Sequence, residues 1–495
     1  MADEKSNLRL TVAVRGGGNV LLPEQSAFFD FAVENSGTEP ALVAALSGNS
    51  DTPSYRVADA AGTLIVNVSP TDLYRRFGAD MGEPEPEPLE TTTIPPGESD
   101  SNWVDLWGLT DPLPDGTYTL SIIHLIDESG AHLESEPLAF QVVDARVTNV
   151  AMSYEDEKRR SSVLAWLAAP QSGGSPQILV RLSTSGNHGA AQRSGWPCGE
   201  TSPDTRLALS AKPPEGTPTF QGWMAAVSAH ESGVDRATLF SLNRASPIWR
   251  SEPIPLPVSD ALPVPRFPDR DHAVFLAVGR LAGAGMALVG AVVQPYSDDP
   301  PTVWSVPLKG EPTHVVCGFT AEGPIALLMA SETAGRTVLS RIDVTAEGTV
   351  AGAERVVRES PHRLYAIARN PGGFVVLEGD REHAGTITVV RIAIEDGEPS
   401  VQELGPLPAW PVIDDKPLAP VDCFLEAPPN GPVLFAFLDE AGNYYGAVAD
   451  GSPVHLLAAA TPERVMTLPH IAALLGQTLF SGFTSRGYLA YLGGF

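Results

Sequence analysis

Cysteine is scarce in this chain, with three residues among 495, at Cys198, Cys317 and Cys423. Three scattered thiols form neither a disulfide framework nor a zinc knuckle, and each is expected as a buried free thiol. Positive charge is also scarce: 32 Lys and Arg stand against 60 Asp and Glu, a formal net charge of −28. Such a balance repels phosphate backbones and anionic membranes unless a local basic patch overrides it. The longest basic cluster, Lys158-Arg159-Arg160, adjoins Glu155-Asp156-Glu157 and reads as one solvated turn, so no nucleic-acid partner is expected. A long apolar run is missing as well. The nearest approach, Ala273 to Val293, is interrupted by Arg280 and by Gly279, Gly283, Gly285 and Gly290, and is expected as two strands joined by a tight turn. The opening MADEKSNLRL carries acidic residues where a secretion signal carries basic ones. Synthesis in the cytoplasm without membrane insertion is the expectation, with the final location open. No G-x-S-x-G elbow, phosphate-binding glycine loop or H-E-x-x-H helix occurs, so no catalytic residue, metal or cofactor is expected.

What the chain does have is apolar residues and punctuation. Hydrophobic residues are 43% and charged ones 19%, enough to build a core, and the 46 glycines and 46 prolines fall between apolar runs, where they bound strands. In residues 1–145, Leu8, Leu10, Val12 and Val14 alternate with other residues, as do Phe29, Phe31 and Val33. Period two with one wet face predicts half-buried strands of a sandwich. The run Pro114-Asp115-Gly116-Thr117-Tyr118-Thr119-Leu120 resembles the corner before the penultimate strand of immunoglobulin-like and fibronectin-like domains, and that resemblance implies a Tyr118 hydroxyl bonded back to nearby backbone. Ser121 to Ile126 and Leu138 to Val143 then form the terminal hairpin. The alternating Glu83-Pro84-Glu85-Pro86-Glu87-Pro88 predicts an extended acidic loop, either a solvated spacer or a docking strip for a basic or proline-reading partner.

From residue 146 to residue 495 a repeat takes over. Turn glycines at Gly174, Gly233, Gly285, Gly335, Gly385, Gly442 and Gly487 are separated by 59, 52, 50, 50, 57 and 45 residues. Each is flanked by apolar runs, as in Ile325 to Ala330 before Gly335 and Val338 to Ile342 after it. Further strands are expected at Val315 to Phe319, Leu364 to Ala368 and Val421 to Leu425 on the inside, with Cys317 and Cys423 in the packed channel wall, and at Val303 to Leu308, Arg355 to Arg358 and Val454 to Leu457 on the outside. A strand-built unit repeating at about 50 residues resembles the blade of a β-propeller. No Trp-Asp repeat, kelch di-glycine set or calcium loop narrows the resemblance to a family. The expected fold is therefore all-β: an immunoglobulin-like sandwich over residues 1–145, then a six- or seven-bladed propeller over residues 146–495. Closure has two solutions, an outer strand supplied from near Leu138 to Ser153 or a last blade of three strands.

Candidate functional residues lie in the loops over the channel mouth. Trp196 and Trp410, each followed by proline, are candidate aromatic platforms, or covers for the gaps between blades. Asp414 and Asp415 lie in the second of these loops. His314 and His362 are read as preceding the inner strands of adjacent blades, where they either meet at the channel mouth or serve as polar residues at strand starts. The first functional reading is a non-enzymatic binding or assembly protein presenting a rigid propeller face to a protein or glycan partner, as in a component of a larger particle of phage-tail-like or injection type. The alternatives are a propeller lyase or hydrolase with its site over the channel, and a cytoplasmic sensor or scaffold.

Overall fold

The computed structural model describes residues 7–15, 18–46, 53–68, 90–110, 113–127, 129–154, 161–184, 196–211, 221–243, 246–266, 273–283, 285–319, 325–345, 349–370, 373–380, 387–395, 398–407, 412–413, 416–417, 420–427, 433–448, 454–461, 466–474 and 477–494. The chain divides into two compact units, Met1–Ala145 with Pro170–Ser172, and Arg146–Ala169 with Gly173–Phe495. The Glu-Pro run at residues 83–88 and the basic turn at residues 158–160 lie outside the described residues.

In the first unit, strands Leu8–Val14, Phe28–Asn35 and Ser99–Asp105 form one antiparallel sheet. A second sheet runs in the order Val20–Leu21, Leu138–Val142, Gly116–Leu125, Ser54–Asp59, Leu64–Val68, with His132–Glu134 paired to Gly116–Leu125. Its pairings are antiparallel except that Val20–Leu21 runs parallel to Leu138–Val142. Alternation drives the two sheets together: Phe29, Phe31 and Val33 from the first and Val57, Leu120, Ile122 and Phe140 from the second share one dry core. Phe29 meets Phe140 edge-on at 5.3 Å between ring centroids. Each buried ring of this kind contributes roughly 1.5–3 kcal/mol of transfer free energy. The Tyr118 hydroxyl donates to Pro114 O at 2.8 Å, the backward bond its resemblance implied. A four-residue helix, Leu106–Leu109, was not foreseen; Asp105 caps it by accepting from Trp107 N at 3.2 Å.

Among the described residues the second unit forms seven consecutive sheets of three or more strands, with a two-stranded hairpin, Val412–Ile413 and Lys416–Pro417, between the fifth and the sixth. The first is Ala145–Tyr154, Ser161–Pro170, Gln177–Thr184 and Trp196–Glu200, and the second is Arg206–Ala211, Gln221–Ser228, Arg236–Asn243 and Ser246–Arg250, with Ile254–Pro255 also paired to Arg236–Asn243. The third is Val258–Arg266, Ala273–Leu281, Gly285–Val293 and Thr302–Pro307, and the fourth is Pro312–Phe319, Ile325–Thr333, Arg336–Val344 and Arg355–Ser360. The fifth is Arg363–Asn370, Gly373–Gly379, Ile387–Glu395 and Glu398–Leu407, and the sixth is Asp422–Glu426, Leu434–Leu438, Tyr444–Val448 and His455–Ala458. The seventh has three strands, Met466–Leu474, Gln477–Thr484 and Leu489–Gly494. Strand order within every sheet is chain order. First strands of successive sheets lie against one another from the second sheet to the seventh. Trp166 of the first sheet packs its ring 5.6 Å from Phe483 of the seventh and closes the circle. This is a β-propeller. Ala145–Tyr154 is the innermost strand of the first sheet, so it does not supply an outer strand to the last, which has three strands among the described residues.

The central strands read as unbroken apolar runs because both of their faces are covered by neighbouring sheets. Gly373–Gly379, Leu434–Leu438 and Tyr444–Val448 are buried at every position. Outer strands are wetter, and Arg355–Ser360 is exposed or half-buried up to its last residue. The hairpin glycines have left-handed φ, at 124°, 80°, 82°, 74°, 80° and 86° for Gly174, Gly233, Gly285, Gly335, Gly442 and Gly487. Only glycine adopts that region without steric cost. Gly385 lies outside the described residues. Ala273–Leu281 and Gly285–Val293 pair antiparallel, as their broken apolar pattern implied. No helix among the described residues is long and apolar enough to cross a membrane. The thiols depart from expectation, since Cys198 is buried but Cys317 and Cys423 are half-buried at the edges of their clusters. Burial pushes the Cys198 thiol up to about 12, with nearby Arg250 pulling the other way, so it is protonated at neutral pH.

Candidate functional site

Of the sequence-derived candidates, Trp196, His314 and His362 lie among the described residues. Trp196 opens the outer strand of the first sheet opposite Val180. Trp410, Asp414 and Asp415 lie outside the described residues, but Val412–Ile413 and Lys416–Pro417 on either side of the two aspartates pair as a small hairpin. His314 does not precede an inner strand: it lies within Pro312–Phe319, paired with Ala330, because the strand extends three residues earlier than its apolar pattern indicates. Its Nδ1 is 3.1 Å from the Thr313 hydroxyl, and burial lowers its pKa against the attraction of Glu332. His362 does sit just before an inner strand. It is held by its backbone, accepting from the Thr337 hydroxyl at 2.7 Å and donating to the Ser360 hydroxyl at 3.2 Å. No hydrogen bond joins the two histidines, and among the described residues no three His, Cys, Asp or Glu side chains converge as metal ligands.

Two other groupings emerge at the cleft between the second and third sheets. The first is a polar niche where Asp204, the hairpin Ala229 to Asp235, and Asp260-Ala261 surround Arg206. Arg206 Nη1 donates to Ala261 O at 3.1 Å and its Nη2 lies 4.0 Å from Asp260 Oδ1. Asp235 Oδ2 accepts from Ala261 N at 2.7 Å and Asp204 Oδ2 from Ala229 N at 3.0 Å, so both carboxylates tie loops to strands. Their acidities diverge. Burial raises Asp235, and the charges of Asp260 and Asp204 add to it despite the Ala261 bond and Arg206. Burial pushes Asp204 the same way, but hydrogen bonds from Ser202 and Ala229 and the charge of Arg206 outweigh it and leave Asp204 below the usual range.

The second grouping is an aromatic ledge at the opposite end of that cleft. Trp223, Ser241 and Trp249 are cross-strand partners in a row on the second sheet, which sets the two indoles side by side over a buried serine. Their rings meet edge-on at 6.1 Å. From the third sheet, the turn between Gly285–Val293 and Thr302–Pro307 brings Tyr296 to 5.9 Å from Trp249. That turn is Gln294-Pro295-Tyr296-Ser297, closed by Ser297 N donating to Gln294 O at 3.3 Å. Proline second and positive φ third is the pattern of a type II turn, whose third position is ordinarily glycine. Tyrosine occupies it at φ 62° with 68% of its surface exposed. A bulky residue held in this region costs about 1–3 kcal/mol relative to glycine. Exposed Asp298 and Asp299 follow, with Asp299 Oδ2 accepting from the Ser297 hydroxyl at 3.0 Å. Sequence reasoning missed the ledge, although one signal was available in the non-glycine third residue of a proline turn.

No protein-family model matches the chain. No curated protein matches it either. Among solved structures it is similar to an acylaminoacyl peptidase of Pyrococcus horikoshii at 11% identity and TM-score 0.36, over 70% of this chain and 50% of that one. The chain thus spans about half the length of that peptidase. It is similar also to the propeller domain of the Trilobed protease from Pyrococcus furiosus, at 10% identity and TM-score 0.36 over 70% and 92% of the two chains. A third likeness is to a Trypanosoma rangeli sialidase solved with sialic acid, at 9% identity and TM-score 0.35 over 74% and 55%. Likenesses this remote carry nothing of those proteins' activities to this chain.

Proposed function

We propose that this chain is a non-enzymatic binding protein whose propeller presents the ledge of Tyr296, Trp249 and Trp223 to a neutral glycan. The observation that carries the reading is Tyr296, a bulky side chain where the backbone favours glycine, with its ring exposed and braced on Trp249. Strain kept where relief needs one substitution points to a task for the ring. Exposed aromatic faces stack on the apolar faces of sugar rings, and Asp298 and Asp299 beside them accept hydroxyl protons. The net charge of −28 disfavours anionic ligands and so favours an uncharged sugar over a nucleotide or an acidic glycan. The first unit is best read as an immunoglobulin-like accessory domain, supported by the Tyr118 corner bond and by the two sheets around one core.

The test is Tyr296→Gly, assayed for retention on cellulose, chitin, starch and mannan and for thermal stability. The expected result is binding of the native chain to at least one polysaccharide, loss of at least tenfold in the variant, and a Tm that stays level or rises. Unchanged retention, or a lowered Tm, overturns the reading. A second reading, hydrolysis, is favoured by the opposed acidities of Asp204 and Asp235 in the niche. It requires that Asp204→Asn and Asp235→Asn each abolish a turnover the native chain has on the same panel.

A further inference from the structure

The three rings of the ledge do not share a plane. Trp223 and Trp249 lie 6.1 Å apart between centroids with their planes turned by 73°, and Trp249 and Tyr296 lie 5.9 Å apart and turned by 53°. Backbone holds these angles. Trp223 and Trp249 both pair with Ser241, and the register breaks between Ser241 and Leu242, which turns the outer strand beside Trp249. Tyr296 is set by the turn Gln294-Pro295-Tyr296-Ser297 at its left-handed φ of 62°. All three rings reach solvent in part, Tyr296 as an exposed residue and the two indoles as half-buried ones.

A sugar stacks with its apolar face flat against an aromatic ring. Sugars lying on neighbouring rings of the ledge must therefore be tilted to one another by roughly the angle between those rings. A chain joined through equatorial bonds alone, as in cellulose, chitin and mannan, is an extended ribbon whose successive sugars lie close to one plane, so it meets one ring of the ledge at a time. A chain with an axial bond at each linkage, as in amylose, turns at every sugar and meets two. The short spacing between the rings suits consecutive sugars of such a chain. Resting on the glycan reading above, we propose that the ligand of the ledge is an α-linked glucan of the amylose type, bound across two neighbouring rings with Tyr296 as one of them. Asp298 and Asp299 accept hydroxyl protons from either kind of chain and do not choose between them. The tilt of the rings makes the choice.

The experiment is calorimetric titration of the full chain with maltohexaose and with cellohexaose, two soluble sugars equal in composition, size and charge that differ only in linkage. Maltohexaose is expected to bind at least tenfold more tightly than cellohexaose. Tyr296→Gly, which relieves the backbone, is expected to weaken maltohexaose at least tenfold and to remove most of the preference, whereas Tyr296→Phe, which keeps the ring, retains both. Thermal melting of each variant reports whether it is folded. Equal affinity for the two sugars, or a preference for cellohexaose, overturns this inference and leaves the glycan reading standing if Tyr296→Gly still weakens binding. A maltohexaose preference that survives Tyr296→Gly also overturns it. Retention on mannan or chitin that depends on Tyr296, without binding of maltohexaose, overturns this inference alone. Absence of any sugar binding that depends on Tyr296 overturns both.

Discussion

Gly290→Ala sets two effects of opposite sign against each other. Gly290 lies in the buried strand Gly285–Val293, directly opposite Trp304 of the outer strand, and its φ is not in the left-handed region. Alanine therefore fits the backbone, and the reduced freedom of the unfolded chain favours the substitution by about 0.4–1 kcal/mol. Burying a methyl adds roughly 0.8 kcal/mol more. Against this, the new Cβ would stand 2.1 Å from Trp304 Cε2 and Cζ2 and 2.6 Å from its Nε1. Those atoms belong to the rigid fused ring, so relief requires the whole indole to move. Overpacking of this kind costs about 1–3 kcal/mol, and expelling the indole approaches the 3–5 kcal/mol of losing a buried tryptophan. The clash wins, and a net loss of about 1–3 kcal/mol is expected from urea unfolding followed by tryptophan fluorescence. The double-mutant cycle is the sharper check. On a Trp304→Ala background the same substitution should become neutral or stabilising by up to about 1 kcal/mol. An equal cost in both backgrounds, or a stable single variant, would refute the close-packing argument.

Three further outcomes follow from named contacts. His124 is fully buried, with Nε2 at 2.9 Å from Ala44 O and Nδ1 without a partner. Burial lowers its pKa below 6.5, outweighing the Ala44 bond and the charge of Asp100, so the unfolded chain binds the proton more readily. The stability of the first unit should be full above pH 6.5 and fall as pH drops below it, and His124→Gln should flatten that slope in pH-dependent melting. Tyr118→Phe removes the bond to Pro114 O and should cost about 1 kcal/mol in chemical denaturation of the first unit. Glu378 is fully buried between the fourth and fifth sheets, where its Oε2 accepts from Ser360 Oγ at 2.9 Å and from Arg358 Nη2 at 3.3 Å. Glu378→Ala leaves Arg358 its bond to the exposed Glu403 alone among carboxylates and should cost about 3 kcal/mol, read in the unfolding of the propeller, while Glu378→Gln should cost less.

Much of the architecture was legible before any coordinate. Hairpin glycines mark the corners, and six of the seven have the positive φ that their spacing implied. Unbroken apolar runs mark central strands, and alternation marks the half-wet strands of the first unit. The small disagreements lie at strand starts and in loops, where neighbours decide. His314 is drawn into its strand by pairing with Ala330, and part of the loop holding Asp414 and Asp415 pairs on itself.

The candidate sites were legible far less well. Turn chemistry and strand period are local, written in residues two to four apart, so composition and spacing alone determined that this chain folds as repeated small sheets after an alternating first unit. The ledge joins Trp223 and Trp249 of one sheet to Tyr296 of the next, and the Glu378 network joins two sheets as well. Which side chains meet across that distance depends on register, on strand bulges and on how neighbouring sheets pack, and these are set only when the ring closes. The tertiary structure alone decided which of these side chains converge, because convergence is a property of packed sheets and not of any one strand.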